Sequence, residues 1–127
     1  LINFRQIEKN HIIENIIYTE LHRRGFNVDI GIVEKRNNEE NGKKNYKQLE
    51  VDFVINKGDE KYYIQSAYSI EDDKKKDQEL QSLLNIDDNF KKIIIVYDHF
   101  LKWQDEKGII YISIYDFLLN ENSLKEA

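Results

Sequence analysis

The stretch from Gln48 to Ser69 constrains the fold of this chain more than any other. Two segments in which apolar and polar residues alternate flank the dipeptide Gly58-Asp59. Alternation with a period of two is typical of a β-strand, and a two-residue turn that begins with glycine is typical of a β-hairpin. The pattern therefore predicts an antiparallel hairpin with its turn at Gly58-Asp59.

The register of this hairpin predicts which side chains meet across its strands. When the residues that flank the turn pair with each other, Asp52 lies opposite Gln65. Two residues further from the turn, Glu50 lies opposite Ala67 on the same face. The apolar residues of the first strand occupy the other face: Leu49, Val51, Phe53 and Ile55. We expect any chemistry of this domain on the face that carries Asp52.

Length and composition favour one globular domain over residues 1–127. Hydrophobic residues make up 40% of the chain and charged residues 34%. The chain contains no cysteine, which excludes disulfides and thiolate metal ligands. It also lacks an apolar segment near the ~20 residues that span a bilayer. We therefore expect a cytoplasmic domain without membrane contact. Because the chain begins with Leu1 and has no methionine, we expect it to be part of a longer protein.

The formal net charge of −5 argues against strong, non-specific binding of nucleic acid, which requires basic residues that face phosphates. A local basic patch is still possible in the polar segment of residues 36–47, which is predicted to be a loop or the tip of a long hairpin. Its candidate contacts to nucleic acid are Arg36, Lys43, Lys44 and Lys47. A solvated loop is the alternative interpretation. Acidic nucleases exist because metal ions supply the missing positive charge.

Hydrophobic periodicity predicts the remaining elements. The predicted helices cover residues 4–24, 70–85 and 115–120. The predicted strands outside the hairpin cover residues 26–35, 92–98 and 108–113. The last two each contain an uninterrupted apolar run, as in strands that are buried on both faces. This order predicts an α/β fold in which a mixed central sheet of about five strands is flanked by helices.

Carboxylates are the candidate chemical groups of this sequence. It contains neither a phosphate-binding glycine loop nor a helical histidine pair. Glu14 lies at the border of the apolar stripe of the first helix, which predicts partial burial. Together with Asp52 and Glu50 it offers hard oxygen ligands of the kind that bind Mg²⁺ or Mn²⁺. Alternatively, Glu14 forms a salt bridge or a hydrogen bond to a loop, and the other two carboxylates lie on a solvated strand face.

Several segments in a fixed order resemble one known family. They include Leu-Glu-Val-Asp-Phe-Val at residues 49–54, Tyr-Ile-Gln-Ser-Ala-Tyr-Ser-Ile at residues 63–70, and parts of residues 14–26, 79–92 and 108–119. The series resembles the C-terminal domain, catalogued as DUF4143, of a large family of prokaryotic AAA-type ATPases. That domain is similar to the PD-(D/E)xK nucleases. The resemblance implies a restriction-endonuclease-like three-layer core, and a parent chain that binds ATP outside these residues.

The resemblance also implies a catalytic set, and two of its positions depart from the nuclease pattern. By position, the helix glutamate of the family corresponds to Glu14 and the strand aspartate to Asp52. The second acidic residue corresponds to Gln65, and the lysine corresponds to Ala67. An amide offers a metal only an uncharged oxygen, and alanine cannot stabilise charge in a transition state. The loss of one such group typically costs about 10²–10³-fold in rate.

Three functions are open at this point. The first is a nuclease-like accessory domain of an AAA-type ATPase, with an incomplete catalytic set, that binds DNA or a protein partner. One such partner is the ATPase domain of its own chain. The second is an active Mg²⁺- or Mn²⁺-dependent nuclease that uses Glu14, Asp52 and Gln65 with a displaced cation. The third is an interaction module in which the carboxylates are structural. A lysine close to the carboxylate of Asp52 would favour the second function. The oligomeric state is left open.

Overall fold

The computed structural model describes residues 4–38, 44–69 and 73–127. In these residues it contains three helices and six strands. Their bounds are α1 Phe4–Arg23, β1 Asn27–Asn38, β2 Lys44–Lys57, β3 Glu60–Ala67, α2 Asp73–Leu84, β4 Lys91–Val96, β5 Trp103–Gln104, β6 Ile110–Ser113 and α3 Ile114–Leu119. The predicted α/β class is confirmed, with β5 as an additional short strand between the predicted strands 92–98 and 108–113. None of the described helices has the length and apolarity required to cross a bilayer.

One mixed sheet contains the six described strands in the order β1-β2-β3-β4-β6-β5. The first three strands are antiparallel, β3, β4 and β6 are parallel, and β5 pairs antiparallel with β6. The hairpin turn lies at Gly58-Asp59, and Lys57 pairs with Glu60. Gly58 has a φ of 59°, a left-handed conformation that glycine adopts without steric cost. The predicted hairpin and its register at the turn are therefore confirmed.

Two hydrophobic clusters on opposite faces of the sheet make this a three-layer fold. Helices α1 and α3 pack in the first cluster, and α2 packs in the second. Strand β4 contributes to both, because Ile93 and Ile95 lie in the first cluster and Ile94 and Val96 lie in the second. All four side chains are buried, as predicted for a central strand. We call the two faces the α1 side and the α2 side.

A β-bulge in β2 changes the direction of its side chains. Between the pairs Asp29–Val54 and Gly31–Val51, β2 has one more residue than β1. As a result Val51 packs in the cluster on the α2 side, whereas Phe53 packs in the cluster on the α1 side. The prediction that the apolar residues of β2 share one face is therefore wrong, because one extra residue shifts the alternation.

Glycine at residue 31 permits the close approach of β1 and β2 at this bulge. A Cβ atom at Gly31 would lie 2.5 Å from Cγ2 of Val54 and 3.2 Å from Cβ of Val51. The first distance is shorter than any real contact between carbon atoms, so a larger residue would displace Val54. The bulge and the glycine therefore depend on each other.

Charge pairs anchor the C-terminal end of α1. The side chain of Arg24 is only 4% exposed, and its Nε donates a hydrogen bond to Oε1 of Glu20 at 2.8 Å. Its Nη2 donates to the carbonyl oxygen of Phe117, and its guanidinium lies 4.5 Å from the centre of the Phe117 ring. Arg23 binds Glu20 at 2.7 Å and Glu121 at 2.8 Å. Hydrogen bonds from Arg23 and then from Arg24 lower the pKa of Glu20 to about 2.

Candidate functional site

The candidate site lies near the edge of the sheet where the parallel strands β3, β4 and β6 end. In open α/β sheets, ligands bind preferentially beyond the carboxyl ends of the strands. Strand β2 is antiparallel to β3, and it brings the bulge with Asp52 beside Ser66, close to the end of β3. The acidic residues predicted from the sequence therefore lie next to the part of this fold that most often binds ligands.

Asp52 lies in the bulge of β2. Its partly buried carboxylate accepts hydrogen bonds from Ser66 on the α1 side of β3. Its Oδ2 accepts hydrogen bonds from the backbone N–H of Ser66 at 2.9 Å and from the hydroxyl of Ser66 at 3.0 Å. Burial raises the pKa of Asp52, and the negative charge of Glu50 raises it further, whereas the two bonds from Ser66 act to lower it. The net direction is upward, so the folded protein makes this carboxylate easier to protonate.

Glu14 of α1 lies close enough to Asp52 for the two charges to interact. Partial burial raises the pKa of Glu14, the charge of Asp52 raises it further, and His11 opposes both effects. The Nδ1 atom of His11 lies 4.0 Å from Oε2 of Glu14, whose side chain is 41% exposed. The structure therefore brings together Glu14 and Asp52, the two acidic residues predicted for the catalytic set, as a pair of like charges.

Gln65 holds β2 to β3 from the α2 side of the sheet. Its Oε1 accepts a hydrogen bond from the backbone N–H of Asp52 at 2.7 Å. Its Nε2 donates to the carbonyl oxygen of Glu50 at 3.2 Å and to the hydroxyl of Ser82 in α2 at 2.6 Å. The side-chain amide of Gln65 thus supplies hydrogen-bond partners for the backbone of β2 just beyond Phe53, where the pairing of β2 with β3 ends.

The prediction that Asp52, Gln65, Glu50 and Ala67 share one face is therefore wrong. Ala67 is 3% exposed and packs in the cluster on the α2 side. Gln65 faces the same side, where it donates a hydrogen bond to Ser82. The bulge turns Asp52 toward the α1 side, where its neighbour on β3 is Ser66. The two positions that correspond to the second acid and the lysine of the nuclease pattern thus lie on the opposite face from Glu14.

Glu50 is the third carboxylate predicted as a metal ligand. It is exposed on β2, and its charge acts on Asp52. Within residues 4–38, 44–69 and 73–127, no group of three or more His, Asp or Glu side chains is arranged to hold a metal ion. An Mg²⁺ ion at Asp52 and Glu14 would thus need water or a bound phosphate to complete its coordination, as Mg²⁺ commonly does.

No ion pair neutralises Asp52 within the part of the chain that the structure describes. On the α1 side, Lys9 of α1 has its Nζ 3.4 Å from the hydroxyl of Tyr68 and 5.3 Å from the centre of that ring. Tyr68 is two residues after Ser66 in the sequence, and it packs against the hydrophobic cluster on the α1 side. Lys9 therefore lies on the same side of the sheet as the carboxylate of Asp52, but the side chain that it contacts is that of Tyr68.

The basic residues predicted to contact nucleic acid lie at the far end of the hairpin formed by β1 and β2. Arg36 and Lys44 belong to the paired ends of these strands, and Lys47 is exposed on β2. Lys43 lies outside the described residues. The pairs Lys35–Lys47 to Asn38–Lys44 confirm that the described residues on both sides of the predicted tip belong to a long hairpin.

Four aromatic rings, Tyr68, Tyr97, Tyr115 and His99, lie along the edge where the parallel strands end, and no motif in the sequence predicts them. The ring centres of Tyr68 and Tyr97 are 5.7 Å apart, and those of Tyr97 and Tyr115 are 6.1 Å apart. Tyr115 stacks on His99 at 3.9 Å with an angle of 1° between the rings. We call these four residues the aromatic row. An aromatic residue just after each parallel strand is the signal that could have identified it.

A relative of this chain is known from Haemophilus influenzae (strain ATCC 51907 / DSM 11121 / KW20 / Rd), where it is described as an uncharacterised protein. The two sequences are 35% identical over 107 residues, which is 84% of this chain and 22% of the relative. The chain thus spans about a fifth of the length of that protein. No family model matches the chain. The resemblance to the DUF4143 domain therefore stays a prediction.

Proposed function

We propose that this chain is a nuclease-like DNA-binding domain that does not cleave DNA and that serves a longer AAA-type ATPase chain as an accessory domain. The observation that carries the proposal is the division of the predicted catalytic set between two faces of the sheet. Glu14 and Asp52 interact on the α1 side, whereas Gln65 and Ala67 lie on the α2 side and carry no charge.

The chemistry of the carboxylates on the α1 side argues against hydrolysis. Cleavage of a phosphodiester requires a water made nucleophilic and a cation that stabilises the charge of the transition state. Here the hydroxyl and the N–H of Ser66 are both bonded to Asp52, and Glu50 adds a further negative charge. Both carboxylates have a raised pKa, although His11 acts to lower that of Glu14, and they repel a phosphate unless a metal ion or a proton neutralises them.

Other features support the context of the proposal. The match to about a fifth of a longer relative fits a domain that works within a larger chain. In that chain ATP would bind outside these residues, and we expect the protein in the cytoplasm. Lys9 and the aromatic row lie along the same edge as the carboxylates and offer contacts to phosphate and bases. The ATPase domain of the parent chain is the expected protein partner.

The proposal is tested by two assays on the same protein. We expect supercoiled plasmid and single-stranded DNA to stay intact with Mg²⁺ or Mn²⁺, while fluorescence anisotropy detects DNA binding at roughly 50 mM salt, where phosphate contacts are strong. Cleavage that Asp52→Ala abolishes and Asp59→Ala leaves unchanged would overturn the proposal, because Asp59 is an exposed carboxylate at the hairpin turn. If no DNA of any form binds, the domain is an interaction module instead.

A second candidate is an active metal-dependent nuclease, favoured by the pair of Glu14 and Asp52 with Lys9 on the same side of the sheet. Carboxylate pairs suit Mg²⁺ and Mn²⁺, which activate water for attack on phosphodiesters. This candidate requires that Mn²⁺ binds near Asp52. Paramagnetic broadening of the NMR signals of residues around Ser66, lost in Asp52→Asn, would support it. An unchanged spectrum at millimolar Mn²⁺ would contradict the nuclease function.

A further inference from the structure

We propose that the aromatic row is a stacking platform for the bases of single-stranded DNA. This inference rests on the proposed DNA-binding function, and it names the form of the DNA and the side chains that hold it. Aromatic side chains bind single strands without sequence preference, because every base has a π-face on which to stack.

Stacking on the row requires a single strand and not a duplex. The centre of the Tyr97 ring lies 5.7 Å from that of Tyr68 and 6.1 Å from that of Tyr115, so the rings form one contiguous aromatic surface. A ring stacks on the face of a base, and in a duplex the neighbouring base pairs cover those faces. A base that stacks on the row must therefore be unpaired.

The row combines an accessible ring with rings that the core holds in place. Tyr97 is 42% exposed and so offers a surface to a base. Its neighbours Tyr68 and Tyr115 are partly buried and pack against the cluster on the α1 side. Such a surface is ordered before the ligand arrives, so binding loses little side-chain entropy.

The charges near the row indicate that stacking, more than phosphate contact, holds the strand. Lys9 lies at one end, 5.3 Å from the centre of the Tyr68 ring. Asp98 is next to Tyr97 in sequence, and Asp52 is bonded to Ser66, two residues before Tyr68. With one nearby lysine and several carboxylates, we expect the slope of log K against log salt to be no steeper than about −0.7, since each neutralised phosphate of a single strand contributes roughly −0.7.

The test compares the intact protein with two variants on labelled oligothymidine of about ten nucleotides, a length within the range that small domains bind. Tyr97→Ala is expected to weaken binding about tenfold, and Tyr97→Phe to retain it, because the ring is kept. The matched control is Tyr18→Ala, which removes a 48% exposed tyrosine on α1 that stacks with His22 and belongs to no part of the row. An unchanged affinity is expected there.

A second measurement does not depend on any variant. An abasic oligonucleotide of the same length keeps the phosphates and removes the bases, so we expect the unmodified protein to bind it about tenfold more weakly than oligothymidine. A duplex of that length should also bind more weakly. Equal affinity for abasic and normal strands, or for Tyr97→Ala and the unmodified protein, would overturn the inference while DNA binding itself stands. The absence of binding to every DNA form would overturn the proposed function as well.

Discussion

Two glutamates of helix α1 have opposite surroundings although they share one helix. Glu20 lies between the guanidinium groups of Arg23 and Arg24, and its pKa falls to about 2. Glu14 is partly buried near the charge of Asp52, and its pKa is raised. Paired charges anchor the C-terminal end of α1, whereas in the middle of the helix the like charges of Glu14 and Asp52 are only partly offset by His11. Because repulsion between like charges costs stability, the second arrangement is typical of a site kept for binding.

The largest expected effect is at the paired end. Arg24→Ala removes a nearly buried guanidinium and leaves Glu20 and the carbonyl oxygen of Phe117 without this donor. The loss of one partner from a buried ion pair typically costs about 3–5 kcal/mol. We expect the free energy of unfolding to fall by about that amount in urea, followed by the fluorescence of Trp103. A loss below about 1 kcal/mol would show that the anchor is not important for stability.

An opposite and smaller effect is expected at Asp52, which interacts with Glu14 in the middle of α1. Asp52→Asn keeps an oxygen that can accept from Ser66 and removes the repulsion of Glu14 and Glu50. Glu14 lies on α1 and Glu50 on the same strand as Asp52, and repulsion between partly solvated like charges is of the same size as the attraction in surface pairs, roughly 0.2–1 kcal/mol. We therefore expect Asp52→Asn to be more stable than the unmodified protein by that amount at pH 7. A variant that is less stable at pH 7 would contradict this account of the site.

The dependence of stability on pH distinguishes the carboxylates at Asp52 and Glu14 from Glu20. Burial and like charge raise the folded pKa of Asp52 and of Glu14, so their contribution to stability is full below the unfolded pKa values and is lost as pH rises through the folded ones. Glu20 has a lowered pKa, so its contribution is present above its ordinary value of 4.5 and is lost as pH falls toward about 2. The advantage of Asp52→Asn should thus shrink at acid pH. NMR titration should also show Asp52→Asn lowering the pKa of Glu14 and leaving Glu20 unchanged.

The smallest expected effect is that of Arg23→Ala. The side chain of Arg23 is 55% exposed, and that of its partner Glu121 is 70% exposed. Exposed ion pairs contribute little to stability, and salt screens them. Equilibrium unfolding should show a smaller loss than for Arg24→Ala, and this loss should decrease at about 1 M NaCl, where screening is nearly complete. The loss of stability in Arg24→Ala should persist at that salt concentration. Equal salt sensitivity of the two variants would contradict the distinction between an exposed and a buried ion pair.

The hairpin and the layers could be predicted because their signals are local. Gly58-Asp59 lies between alternating segments, and the apolar run from Ile93 to Val96 indicates a strand buried on both faces. The proximity of Glu14 to Asp52 follows in part from helical spacing, since Glu14 borders the apolar stripe of α1. Strand β5 has two exposed residues at the sheet edge, so it has no hydrophobic pattern to reveal it.

The faces of the site residues could not be predicted, because they depend on contacts between distant residues. The bulge requires Gly31 of β1 beside Val51 and Val54 of β2, and neither segment shows it alone. Without the bulge, simple alternation assigns Asp52 and Gln65 to one face. The aromatic row has the same origin, because the sheet order brings together residues that are far apart in sequence.

The extra residue of β2 also affects how this chain should be compared with its relatives. In a relative whose second strand pairs without a bulge, the corresponding strand is one residue shorter between the partners of Asp29 and Gly31. An alignment without a gap at that point would match every residue before Phe53 to a neighbour on the wrong face of the sheet. Profiles built for such relatives should therefore allow a one-residue gap beside the aspartate.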